Sequence, residues 1–219
     1  MAVHTFGARA RLTDLRRDSV ATIEDCAHAF GLPGLASGAD VAILSFYATK
    51  LIGAGEGGAV LTRSDEVAAS VRAHRDYTDL PPDGSRLNDK LTDLEAALAL
   101  CQLDRLDATL SARARLAERY RVLLAGASDA LRLPVETGDR VWYRYAIELT
   151  RMSAAEAVAR LKRAGVVAAQ PIADWRSPDR PSAPVADRAY CSLLSLPLYP
   201  TLTDAEQQHV VDAVLELFG

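Results

Sequence analysis

The sequence is poor in cysteine, has no long apolar run and carries no excess of positive charge, and each shortage removes a class of protein. Cys26, Cys101 and Cys191 are odd in number, far apart and form no CxxC pair. They supply neither a disulfide framework nor a metal-ligand pair, and the expected setting is a reduced, cytoplasmic one. The net charge of −4 leaves no basic footprint for nucleic acid or an anionic membrane surface. The best membrane-span candidate, residues 41–60, holds the charges of Lys50 and Glu56 and too many glycines. The N-terminal "MAVHTFGARARLTDLRRDSV" has no apolar signal core. Its arginines hint at a targeting peptide, but Asp14 and Asp18 argue against one.

What remains is an ordinary globular composition, with 49% hydrophobic and 25% charged residues in 219. That is enough for one large domain or two small ones. Short apolar runs at 20–23, 41–46 and 59–62 each end in a turn or loop, as buried strands of an α/β sheet do. Ser64 caps a helix expected from Asp65 to about His74. The turn-rich "LPPDGSRLND" leads to the capping box Thr92-Asp93-Leu94-Glu95. That box opens a long linking helix reaching about Leu124, with a break near 107–111. Leu94, Leu98 and Cys101 share one of its faces. Beyond it, "VWYRYAIELT" alternates like an antiparallel strand, and Ser153-x-x-Glu156 opens a helix that Gly165 closes. Residues 166–169 read as a strand, "DWRSPDRPSAPVADR" as a loop and "LLSLPLYP" as a short strand. Thr203-x-x-Glu206 opens a last helix running to Phe218. The expected boundaries are a first domain at 1–110, including the start of the linking helix, and a small α+β domain at 111–219.

The chemistry concentrates in two stretches. In "SFYATKLIGAGEGGAV", Ser45 to Val60, Lys50 is the single cation among small, apolar and glycine residues. Gly53-x-Gly55-x-x-Gly58 matches the dinucleotide fingerprint in spacing only, because a strand follows it where a helix is needed. A phosphate-binding P-loop fails as well, since Lys50 precedes the glycines. A lysine held in a desolvated strand-end loop is a usable amine nucleophile, whereas most lysines are solvated surface groups. Upstream, "IEDCAHAFG" brings Asp25 to the end of a strand with His28 three residues on. An acid followed by a lysine matches what pyridoxal phosphate needs: an amine for its aldehyde and a carboxylate for its ring nitrogen.

The blocks "IEDCAHAFG", "SFYATKLIGAGEGGAVLT", "RLNDKLTDLEAALALCQL" and "LSLPLYPTLTDAE" together resemble the DegT/DnrJ/EryC1/StrS family of sugar aminotransferases, from Val3 to the C-terminus. The resemblance implies an α/β fold. It would comprise the C-terminal part of a fold-type I large domain with a partial, mostly parallel sheet, a linking helix and a small α+β domain. It implies pyridoxal 5'-phosphate as cofactor and two half-reactions, with glutamate as amino donor and a nucleotide-linked keto-sugar as acceptor. Lys50 matches the Schiff-base lysine and its proton-transfer role, and Asp25 the carboxylate on the pyridinium nitrogen. His28 matches a position beside the ring hydroxyl, and Ser45 a phosphate ligand. Asn88 matches an asparagine that reaches a partner's phosphate, although Asn88-Asp89-Lys90-Leu91 lacks the tyrosine of that pattern. Relatives of this kind carry a longer N-terminal portion before "VHTFG", with further phosphate and ring-stacking contacts, so weak cofactor binding is expected of the chain alone. Three readings stay open: one half of a split aminotransferase whose other half is a separate polypeptide, a remnant or pseudoenzyme acting as a binding module, and a piece cut from a longer protein. The expected partner is a second copy in a homodimer or the complementary N-terminal half chain. Trp175 and Arg176 lie in a loop that could touch a ligand.

Overall fold

Four short strands form the sheet that positions the candidate site. They are β1 (Ala2–Val3), β2 (Ile23–Asp25), β3 (Val41–Ser45) and β4 (Gly58–Thr62), in that spatial order. The computed structural model describes residues 1–11, 20–76, 88–127, 129–136, 138, 140–174 and 183–219. β1 and β2 pair in parallel, as do β2 and β3, while β4 returns antiparallel to β3. The partly parallel α/β sheet read from the sequence is therefore present. Val3 pairs with Asp25, and Asp25 with Ile43, so the three parallel strands end along one edge. The ladder continues one residue further, where His4 N–H donates to Asp25 O at 3.1 Å and Cys26 N–H to Ile43 O at 2.9 Å.

β1 had no counterpart in the sequence reading, being only two residues long. β2 lies later than the run at 20–23 and takes in both acids. Its entry is fixed by Asp40, whose Oδ2 accepts from Thr22 N–H and Oγ1 at 2.7 and 2.8 Å. After β4, Ser64 Oγ accepts from Val67 N–H and starts α1 (Asp65–Arg75).

The expected long helix is two helices, α2 (Asp93–Asp104) and α3 (Leu106–Leu123), separated at Arg105. Arg105 has φ −99° and ψ 2°, and its N–H turns to Gln102 O and Leu103 O instead of the carbonyl four residues back. The Thr92–Glu95 capping box is complete. No residue of α2 is buried, and Leu94, Leu98, Leu100 and Leu103 all stand exposed, Leu94 at 85%.

The chain divides into two units, Met1–Leu110 with Gly138–Tyr143, and Ser111–Thr137 with Arg144–Gly219. The second unit holds an antiparallel sheet of β5 (Leu131–Arg132), β6 (Tyr145–Leu149) and β7 (Leu193–Leu196). Its helices besides α3 are α4 (Ala154–Arg163), α5 (Pro184–Ser192) and α6 (Asp204–Leu215). Tyr145, Ile147 and Leu149 alternate inward from β6 and are buried, as are Leu116 and Tyr120 of α3 and Leu161 of α4, and the Tyr145 ring lies 4.9 Å from that of Tyr120. The Tyr120 hydroxyl donates to Pro197 O at 2.9 Å, and buried Gln207 donates to Leu116 O at 2.7 Å, so these two core side chains are matched.

Several sequence expectations are corrected here. The strand expected across "VWYRYAIELT" begins only at Tyr145, and residues 141–143 belong to the first unit. Residues 166–169 form no strand: a single bridge joins Ala169 to Ser195. That stretch is taken up by the end of α4, where Gly165 has φ +80° and Val166 N–H returns to Leu161 O, a Schellman closure. The proline-rich loop ends earlier than expected, because Pro184 starts α5 at the position where its missing N–H costs nothing. Ser153 caps α4 through its hydroxyl, and α6 stops at Leu215. Asp14, Asp18, most of "LPPDGSRLND", Trp175 and Arg176 lie outside the described residues. Among the described residues no helix is long and apolar enough to cross a membrane.

Candidate active site

Parallel strands deliver side chains to their carboxyl ends, where α/β sheets bind ligands. Here three successive loops leave that edge and carry Phe6, His28 and Lys50. Asp25 closes β2 and is half-buried, and its Oδ1 accepts from Ala27 N–H at 3.0 Å. Its Oδ2 makes no hydrogen bond among the described residues and remains an acceptor. Ser45 closes β3, and its Oγ accepts from Tyr47 N–H at 3.3 Å, which leaves the hydroxyl proton to donate.

Lys50 sits in a loop closed on itself by backbone bonds. Phe46 N–H donates to Gly57 O, Ala48 N–H to Gly55 O and Ala54 N–H to Phe46 O, each at 2.8 Å. Lys50 N–H turns back to Tyr47 O at 2.8 Å. The loop needs Gly53, because a Cβ there would stand 2.5 Å from Ala48 O, a backbone atom that cannot swing away. Leu51, Ile52 and Ala54 are buried beside it, so the lysine is anchored by apolar neighbours while its own side chain stays half-exposed.

The Lys50 amine makes no hydrogen bond or ion pair among the described residues. Its contact is aromatic: Nζ lies over the Tyr143 ring, 5.3 Å from the centroid. The same ring stacks on His28 at 4.2 Å with planes 15° apart, and Phe6 stacks on His28 at 6.1 Å. His28 Nδ1 accepts from Phe6 N–H at 3.4 Å, so the neutral ring carries its proton on Nε2. Sequence reading missed Tyr143 because it counted that residue into a strand. Phe6 sits in the left-handed region at φ 54°, uncommon for a bulky residue. Gly7 comes next at φ +87°, and a Cβ there would overlap Val141 O. Val141 N–H donates to Gly7 O at 2.9 Å, which seats the 138–143 segment and with it Tyr143. Asn88 is exposed in the extended stretch before Thr92 and has no hydrogen bond to Asp25, His28, Ser45 or Lys50 among the described residues. The structure thus joins His28 and Lys50 through one ring, sets Asp25 and Ser45 on neighbouring strand ends, and gives Asn88 no hydrogen bond to any of them among the described residues.

The acid next to Asp25 has a different task. Strand alternation turns Glu24 into the interior with His4 and Cys26, all buried. Glu24 Oε2 accepts from Ala36 N–H at 2.8 Å, and Oε1 stands 3.7 Å from His4 Nε2. His4 Nδ1 accepts from Ala10 N–H at 3.0 Å, so Nε2 keeps the ring proton and has no lone pair for a cation. The cluster clamps β1 to β2. Burial holds His4 below the ordinary histidine range, outweighing the attraction of Glu24. Burial, with the Glu24 charge, pushes the Cys26 thiol up to about 12.

The donor set fits pyridoxal phosphate. A half-exposed amine in the loop after β3, without an ion-pair partner among the described residues, joins a carboxylate with an acceptor oxygen to spare at the end of β2 and a hydroxyl with a proton to give at the end of β3. A family model described as the DegT/DnrJ/EryC1/StrS aminotransferase family matches residues 1–215. A dTDP-3-amino-3,4,6-trideoxy-alpha-D-glucose transaminase of Micromonospora megalomicea subsp. nigra is 34% identical over 248 aligned positions, covering 98% of this chain and 64% of that protein. A GDP-perosamine synthase of Caulobacter vibrioides is 33% identical over 165, covering 68% of this chain and 44% of that protein. The crystal structure of S. venezuelae DesV in complex with a ketimine intermediate superposes with TM-score 0.83 at 31% identity, covering 98% of this chain and 63% of that one. The chain spans about 64% of the length of the first of these relatives.

Two outcomes are expected from this geometry. Gly53→Ala should lower stability by about 1–3 kcal/mol, the usual cost of forcing a group into packed surroundings, read from urea denaturation; an unchanged midpoint would show that the loop yields freely. Folded His4 binds its proton less readily than unfolded His4, so the neutral ring's contribution is complete above about pH 6.5 and declines as pH falls below it. The wild-type urea midpoint should therefore drop between pH 7.5 and 5.5 more steeply than that of His4→Gln, and parallel slopes would contradict the assignment.

Proposed function

This chain belongs to the DegT/DnrJ/EryC1/StrS aminotransferase family, and we propose that it serves a pyridoxal 5'-phosphate-dependent aminotransferase acting on a nucleotide-linked keto-sugar, with glutamate as amino donor. The observation that carries the reading is the Lys50 amine, without an ion-pair partner among the described residues and set on the ring that also stacks on His28. The names of the relatives, a dTDP-sugar transaminase and a GDP-perosamine synthase, support a nucleotide-linked sugar as substrate class.

In this reading Lys50 would hold the cofactor covalently through Nζ. Asp25 would keep the cofactor's ring nitrogen protonated, with Oδ1 already steadied by Ala27 N–H. His28 would lie by the ring hydroxyl and Ser45 would donate to the phosphate. When bound, the cofactor supplies an electron sink for the charge left on the donor carbon. The Lys50 amine would be the group that moves a proton at Nζ to and from the donor carbon. Asn88, exposed and remote in the hydrogen-bond pattern, is read as acting on a partner's site. The exposed leucines of α2 support a partner that covers them, either a second copy or a complementary half chain.

At saturating cofactor the chain, with its partner where one is needed, should develop a visible absorption band that glutamate discharges. Lys50→Ala should abolish the band and lower amino transfer by about 10²–10⁴-fold, the weight of a positioned proton-transfer group. A band of equal strength in Lys50→Ala, or no band under any pairing, would contradict the proposal.

A further inference from the structure

We propose that Tyr143 is a positioning residue, whose ring fixes where the Lys50 amine and the His28 imidazole stand. Its meaning for catalysis rests on the reading of Lys50 as the cofactor lysine. The amine has no carboxylate or hydroxyl holding it among the described residues, and the loop that carries it is tied down through its backbone bonds and its buried apolar neighbours, not through the lysine side chain. A flexible four-carbon stem would then sample many rotamers. The electron-rich face of an aromatic ring supplies a preferred place for the ammonium without neutralising it in an ion pair. An ion pair would have to be broken before the amine could react, whereas a ring contact leaves it available.

The ring itself is held more firmly than the groups it positions. Tyr143 is 5% exposed and packs with Ala29, Leu32, Leu51 and Val141, which come from the histidine loop, the lysine loop and its own segment. Its backbone follows Val141, which is seated on Gly7. One side chain therefore registers the loops after β2 and β3 against each other. A purely structural tyrosine would need only volume at this place; a positioning one needs an aromatic face.

The three lysines of the chain, Lys50, Lys90 and Lys162, make the contact directly observable. Reductive methylation with 13C-formaldehyde keeps their charge and labels each amine, and Lys50→Arg assigns its signal. In the wild type the Lys50 methyl resonance should lie upfield of the other two through the ring current of Tyr143, with a nuclear Overhauser contact to the ring protons. Tyr143→Phe should keep the shift, and Tyr143→Leu should move the signal to the position of the other lysines at a comparable melting temperature. A wild-type Lys50 signal without the shift and without the Overhauser contact overturns the proposal. So does an unchanged shift in folded Tyr143→Leu. The wild-type measurement needs neither cofactor nor a folded variant. A shift without any cofactor band would keep the positioning contact and remove the functional reading; a band without the shift would do the reverse.

Discussion

The register that sets Val3, Asp25 and Ile43 side by side is the constraint on which the first unit depends. Parallel pairing makes three strands end at one edge, and the backbone bonds from His4 and Cys26 carry the pairing one residue beyond the strands themselves. A slip of a single residue would turn Asp25 inward and Glu24 outward, because strand side chains alternate. The buried His4–Glu24–Cys26 cluster opposes that slip. Glu24 has its partner in Ala36 N–H, and an interior Asp25 carboxylate in another register would not. Two adjacent acids thus divide the work: one locks the strands and the other stands at the carboxyl edge of the parallel strands.

The loops beyond the strand ends are shaped by close backbone approach. The Lys50 loop closes through four backbone hydrogen bonds and a glycine lying against Ala48 O. The turn after β1 passes through left-handed Phe6 and Gly7 to receive the segment that holds Tyr143. Backbone strain of this kind concentrates where a structure must hold a functional group in one place. The result is a lysine whose backbone is tied by hydrogen bonds and whose amine, among the described residues, lies against an aromatic face.

Much of this was legible in residue order. Asp25, His28 and Lys50 stood out as an acid, a histidine and an amine following short apolar runs in that order, Ser45 was marked only by the family resemblance, and the glycines marked a loop approached closely by backbone. The capping boxes at Thr92 and Thr203 located two helix starts to the residue, since their hydrogen bonds are local. Non-local features were less readable. Residues 141–143 continue the alternation of β6 on paper, yet their partner is Gly7, more than a hundred residues away. The break at Arg105 leaves no glycine or proline as a sign. α5 hides behind Pro184, a residue that reads as loop until its place in the first turn is seen.

The central claim is that one lysine, set by the strand-end register, is the cofactor's anchor. The most direct measurement is borohydride reduction of the chain mixed with pyridoxal phosphate, followed by peptide mass spectrometry to locate the pyridoxyl group. Trapping makes even a weak complex visible. The account predicts the group on Lys50, with Lys90 and Lys162 essentially unmodified at low cofactor excess. A label spread evenly over the three lysines, or one concentrated on Lys90 or Lys162, would contradict it.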